Sequence, residues 1–163
     1  MNKIVIEIAV SVLAAAVGTA GISMIYNVGR RVFAYAIIGA VLSCLAYEVV
    51  DLFIENLFIV SMIASAVAAI YSEIMAHLLK IPATVTLIPA IVPLVPGRML
   101  YYTMFGIVSG NGVSASENAK GALFTSLGIA LGIILVTLVT RAIFPGIISM
   151  GIDTKQRKNT GSK

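Results

Sequence analysis

The sequence predicts an all-α membrane protein of five transmembrane helices, the fourth of them broken at Pro93 to Pro96. Three observations carry that reading. Of 163 residues, 60% are hydrophobic and only 11% charged, and the mean hydropathy is +1.05, far above that of a water-soluble domain. The apolar residues form runs long enough to cross a bilayer core of about 30 Å, which takes roughly 20 residues at about 1.5 Å each. Lys and Arg collect at alternate connections between those runs, as cytoplasmic segments do.

The first run, 4–25, has only Glu7 as a charge; the second, 32–50, only Glu48; the third, 57–79, only Glu73 besides His77; and the last, 121–140, has none. The run 82–108 is long enough to span and carries only Arg98, but Pro82, Pro89, Pro93 and Pro96 prevent it from being one regular helix. It is either a broken span or a re-entrant hairpin. Together the five runs make a single membrane domain over 1–150. The tail 151–163 is polar, lacks an apolar period and is expected to be disordered on the cytoplasmic side.

Parity favours the broken span. Arg30 and Arg31 follow the first run, Lys80 ends the third, and Arg141, Lys155, Arg157, Lys158 and Lys163 follow the last. The connection Asp51 to Asn56 has no Lys or Arg, and the loop expected at Ser109 to Lys120 has only Lys120. Five crossings, N-terminus out and C-terminus in, satisfy this distribution; four crossings would leave the basic tail outside. Lys3 before an apolar stretch resembles the start of a secretory signal, but the run continues to Ile25, and Arg30 and Arg31 fit a cytoplasmic anchor better.

Composition also removes several function classes. A lone Cys44 makes no internal disulfide and no cysteine metal cluster, and one histidine leaves no His-rich metal site, so no metal or cofactor is expected. The net charge of +4 is scattered singly between apolar runs, which is membrane topology and not a nucleic-acid-binding stripe. An intramembrane enzyme is disfavoured, because the chain has no HExxH and no GxSxG elbow beside a second histidine.

Small residues recur at helical spacing on three spans: Ser11, Ala14, Gly18 and Gly21; Ser61, Ser65, Ala68 and Ser72; and Gly121, Thr125, Gly128 and Gly132. Helices in lipid associate through such faces, so each stripe reads as packing within the chain or as a subunit contact. Among the ionisable groups, Glu73 and His77 stand four apart on one helix face, where a carboxylate and an imidazole can share a proton; a solvated interfacial pair is the plainer reading. Glu7 and Glu48 read as solvated groups near a membrane surface.

The segment Ile88 to Arg98 holds the most chemistry. Prolines 89, 93 and 96 remove helical hydrogen bonds to Val85, Pro89 and Val92, so the helix must open between Pro93 and Pro96. Open backbone in a bilayer needs a protein or polar cavity around it, and transporters place substrate at such breaks. A second half-helix beginning near Pro96 would present free N–H groups at Gly97, Arg98, Met99 and Leu100. Gly97 leaves room for close approach, Arg98 can grip a carboxylate with two hydrogen bonds, and Tyr101 and Tyr102 follow with hydroxyls. The expected ligand is a small carboxylate; the alternative is a structural kink with Arg98 paired to an acidic residue.

The residues Ser72-Glu73, Ala76-His77, Lys80, Pro82-Ala83 and Ile91-Val92-Pro93-Leu94-Val95-Pro96-Gly97, with Tyr101 or Tyr102, resemble the second membrane half of bacterial threonine/serine exporters. In split members that half is a separate small subunit. The resemblance implies a multi-pass protein of the bacterial cytoplasmic membrane. Its function would be export of threonine, serine or related small carboxylates such as dicarboxylates, driven by the proton gradient. It implies a larger membrane partner carrying the other transporter half and a cytoplasmic domain, with a homo-oligomer as substitute. Such halves would be inverted repeats holding substrate between them. On this reading Pro93, Pro96, Gly97, Arg98, Tyr101 and Tyr102 bind substrate, and Glu73 with His77 couples protons. A non-transporting assembly or scaffold protein, supported by the small-residue stripes, is the competing function.

Overall fold

The computed structural model describes residues 2–26 and 29–143, and the expectation for the tail 151–163 lies outside that range. The described chain is helical, with six α-helices: α1 (Asn2–Ile25), α2 (Arg30–Asp51), α3 (Leu57–Leu79), α4 (Thr84–Ile91), α5 (Gly97–Val108) and α6 (Gly112–Ile143). A 3-10 turn, Val92–Leu94, joins α4 to the break. Four of these helices are long and apolar enough to cross a membrane, and the pair α4 and α5, bent by 50°, meets the same test as one broken unit.

Local signals set the ends of these helices. The Asn56 side chain accepts a hydrogen bond from the Phe58 N–H and starts α3. At the other end Lys80 turns left-handed, with φ of 54°, while the N–H groups of Lys80 and Ile81 both reach the Ala76 carbonyl. Pro82 then prevents resumption of the same helix. Gly110, with φ of 74°, lets the Asn111 N–H return 2.8 Å to the Gly106 carbonyl and closes α5. Asn111 in turn accepts from the Ser114 N–H and opens α6.

That cap corrects the expected loop at Ser109 to Lys120. The connection is only three residues, 109–111, and α6 begins nine residues ahead of its apolar run. Ser114 to Lys120 is polar, but Ala115, Glu117, Ala119 and Lys120 include good helix formers, and hydropathy alone reads such a stretch as loop.

α3 is central and packs on α2, α4 and, most extensively, α6. The α3–α6 contact is made by the expected small residues. A Cβ on Gly128 would collide with Ser61 and the Phe58 carbonyl, and one on Gly132 with Ser65 and the Met62 carbonyl. The serine hydroxyls are satisfied inside α3: Ser61 donates 2.7 Å to the Leu57 carbonyl and Ser65 3.0 Å to that of Met62. At these two positions the backbones approach closely while the serine hydroxyls stay paired. The matched pairs rise together in number, Leu57 with Gly121, Ser61 with Gly128, Ser65 with Gly132, so α3 and α6 run parallel. It follows that α4 and α5 together return the chain to the end of the bundle where α3 begins.

The stripe on α1 behaves differently. An added Cβ at Gly18 or Gly21 would meet nothing within 4 Å, so this face is not closed by a neighbouring helix. α1 packs on α2 and on the 3-10 turn, while α5 leans chiefly on α6.

Candidate functional site

The break is built as its prolines demand. α4 stops at Ile91, the 3-10 turn carries the chain to Leu94, Val95 is extended with ψ of 128°, and α5 starts at Gly97 with Pro96 as its cap. Carbonyls at the end of α4 lose regular helical donors, and neighbouring helices supply hydroxyls instead. Ser43 on α2 donates 2.7 Å to the Ala90 carbonyl, and Thr19 on α1 reaches the Pro89 carbonyl at 3.4 Å. Both side chains are fully buried. Neither residue stood out in the sequence; the available signal was a hydroxyl inside an otherwise apolar run.

On the other side of the break the expectation of four free N–H groups is half met. Pro96, at φ −75° and ψ 52°, makes a tight turn in which the Gly97 N–H donates 2.7 Å to the Val95 carbonyl. The Leu100 N–H donates to the Pro96 carbonyl at 3.1 Å. Arg98 and Met99 keep N–H groups with no backbone acceptor among the described residues, at the electropositive end of α5.

A cavity of about 450 Å³ lies against this break. Its lining includes Pro93, Pro96, Gly97 and Arg98, together with Ser11, Ala14 and Gly18 of α1, Cys44, Tyr47 and Glu48 of α2, and Thr125 of α6. The open stripe of α1 therefore faces a cavity instead of a helix. Arg98 is exposed and forms no ion pair among the described residues; its guanidinium sits over the Tyr102 ring, 5.8 Å from the centroid. Among the described residues, therefore, no Arg98 ion pair staples the kink.

Tyr101 and Tyr102 lie outside the cavity lining and are exposed on α5, in an aromatic cluster with Phe105. Tyr102 reaches the site only through Arg98. Glu73 and His77 also lie outside it, near the C-terminal end of α3, with Glu73 half-buried and His77 exposed. Their helix nevertheless packs on α4 and the 3-10 turn, and its Tyr71 lies against Gly39 and donates 2.9 Å to the Tyr35 carbonyl of α2. A Cβ at Gly39 would meet both the Tyr71 ring and Ala90.

Glu48 is the residue that sequence reasoning misplaced. Its position near the end of the second run suggests a merely solvated carboxylate, yet it lines the same cavity as Arg98. Spacing along α2 was the only available clue, since Cys44, Tyr47 and Glu48 share a face at three and four residues.

A family model described as Threonine/Serine exporter, ThrE, matches residues 11–139, most of the chain and every element that lines the cavity. The chain belongs to the threonine/serine exporter family. Comparison with curated proteins and with solved structures gave no match. As a threonine/serine exporter family member it is a multi-pass membrane protein of a transporter family, not of an enzyme family. In this exporter fold two of the three small-residue stripes are spent on α3–α6 packing, including the Gly128 to Gly132 pair.

Proposed function

We propose that the chain is one half of a secondary transporter that exports small carboxylates such as threonine, serine or dicarboxylates, with the cavity at the broken helix as its substrate site. The observation that carries this reading is the convergence of Arg98, the free N–H groups of Arg98 and Met99, and a cavity of about 450 Å³ at one break. That volume falls in the usual range of small-ligand sites, about 300 to 1,000 Å³. Arg98 grips the carboxylate, Gly97 leaves its backbone open to approach, Pro93 and Pro96 hold the break, and Tyr102 positions the guanidinium.

In this reading the chain crosses the bacterial cytoplasmic membrane five times, N-terminus out and C-terminus in. The parallel run of α3 and α6 supports an odd number, because α4 and α5 together must then carry the chain back across. The cavity residues of α2, Cys44 to Glu48, lie toward the outer end of that helix, the side on which an exported substrate leaves. Glu73 and His77 carry the coupling proton and act on the break through the Tyr71 contact, not by touching substrate.

A larger membrane subunit carrying the other half and a cytoplasmic domain covers the faces this chain leaves open, among them the α5 face bearing Tyr101 and Phe105. Scaffolding alone has lost its main support, since the α3 and α6 stripes are used inside the fold. Proteoliposome flux of labelled threonine or serine, with and without the partner, tests the proposal. Export that needs this chain and saturates with substrate supports it; a chain that assembles with its partner but has no effect on flux overturns it.

A further inference from the structure

We propose that Glu48 makes the cavity selective for a ligand that carries an ammonium group beside its carboxylate. The inference rests on the reading of Arg98 as the carboxylate anchor. Glu48 and Arg98 line one cavity from different helices, α2 and α5, and neither forms an ion pair among the described residues. Two opposite charges that line one cavity without pairing with each other are each free to take a partner from a ligand. A zwitterionic amino acid supplies both: its carboxylate to Arg98 and the α5 N–H groups, its ammonium to the Glu48 carboxylate.

A dicarboxylate satisfies Arg98 equally well, but its second carboxylate meets the like charge of Glu48. The Glu48 side chain is half-buried, about 7.5 Å along α2 beyond the level of Ser43, which itself contacts the break at Ala90. Glu48 therefore stands beside the cavity on the outer side of the break. A third polar group faces the same space. Thr125 is only 3% exposed, lines the cavity, and its hydroxyl has no hydrogen-bond partner among the described residues. A buried hydroxyl left unpaired by the fold is a group that a ligand can satisfy. The cavity thus holds a cation, an anion and an unpaired hydroxyl, a set that complements a small zwitterion better than a plain acid.

The test compares L-serine with 3-hydroxypropanoate, the same skeleton without the amine, and with succinate. Binding is measured by calorimetry on the full chain in lipid nanodiscs, together with its membrane partner where one co-purifies. Wild type is expected to bind serine at least tenfold tighter than either acid. Glu48→Gln should weaken serine about tenfold and leave 3-hydroxypropanoate unchanged or tighter, so that the preference collapses. Glu48→Asp, which keeps the charge, should retain most of it. Equal binding of serine and 3-hydroxypropanoate to wild type overturns the inference without any variant, as does an undiminished preference in folded Glu48→Gln. Failure of the Arg98 reading looks different: both ligands then bind Arg98→Lys as they bind wild type, or neither binds wild type at all, an outcome that overturns both claims.

Discussion

The Ser43 hydroxyl donates a 2.7 Å hydrogen bond to the Ala90 carbonyl, tying the middle of α2 to the last turn of α4. It replaces a helical donor where the break begins, so the opened backbone is held and not merely tolerated. Interhelical hydrogen bonds in membranes average about 0.6 kcal/mol and reach about 1.7. Ser43→Ala should fall near the upper figure, because a buried carbonyl loses its partner. Thermal unfolding in detergent should show the loss, and Ser43→Thr should restore part of it. A melting profile identical to wild type would mean that Ala90 finds another donor.

Gly132 and Gly18 should respond in opposite ways to the same substitution. Gly132→Val pushes a side chain into Ser65 and the Met62 carbonyl, so α3 and α6 cannot close and the yield of folded protein should drop sharply. A Cβ at Gly18 meets nothing within 4 Å, so Gly18→Val should fold normally while narrowing the cavity, which lowers transport. Size-exclusion profiles and flux, read together, check the pair.

Hydropathy made the four long helices legible, and proline placement located the break to within a residue or two. The cavity beside it followed from the rule that open backbone needs cover. What remained hidden was which helix faces meet. Glu48 looked like a surface carboxylate because sequence position measures depth in the membrane but not the direction of a side chain. Thr19 and Ser43 looked like ordinary small residues because their roles depend on carbonyls about 70 and 47 positions away. The Pro96 turn consumed the Gly97 N–H, a detail set by the ψ of Pro96 that no residue pattern specifies. The polar start of α6 was missed because its Asn111 cap carries no hydropathy signal.

Membrane orientation is checked by cysteine labelling in a Cys44→Ala background. Ser116→Cys, on the exposed first turns of α6, should react with an impermeant reagent from outside, and Arg141→Cys only after the membrane is opened. The reverse pattern, Ser116→Cys protected and Arg141→Cys reactive from outside, would contradict the five-span topology and restore the re-entrant hairpin.

Proton coupling makes a separate prediction at Glu73 and His77. Glu73→Gln keeps the shape and removes the titrating group, and His77→Asn removes the only imidazole in the chain. Both variants should fold, bind serine as wild type does, and lose the pH dependence of export, since neither residue touches the cavity. Wild-type pH profiles in both would make the pair a solvated surface feature.

The central claim is that Arg98 binds the substrate carboxylate at the broken helix, and Arg98→Lys tests it most directly. Lysine keeps the charge but loses the planar two-pronged grip and the stacked position over Tyr102. One charge-assisted contact is worth about 1.5 to 3 kcal/mol, so the half-saturating serine concentration for export should rise roughly tenfold to hundredfold. Folded Arg98→Lys protein that exports with the wild-type concentration dependence would contradict the account and place the carboxylate elsewhere.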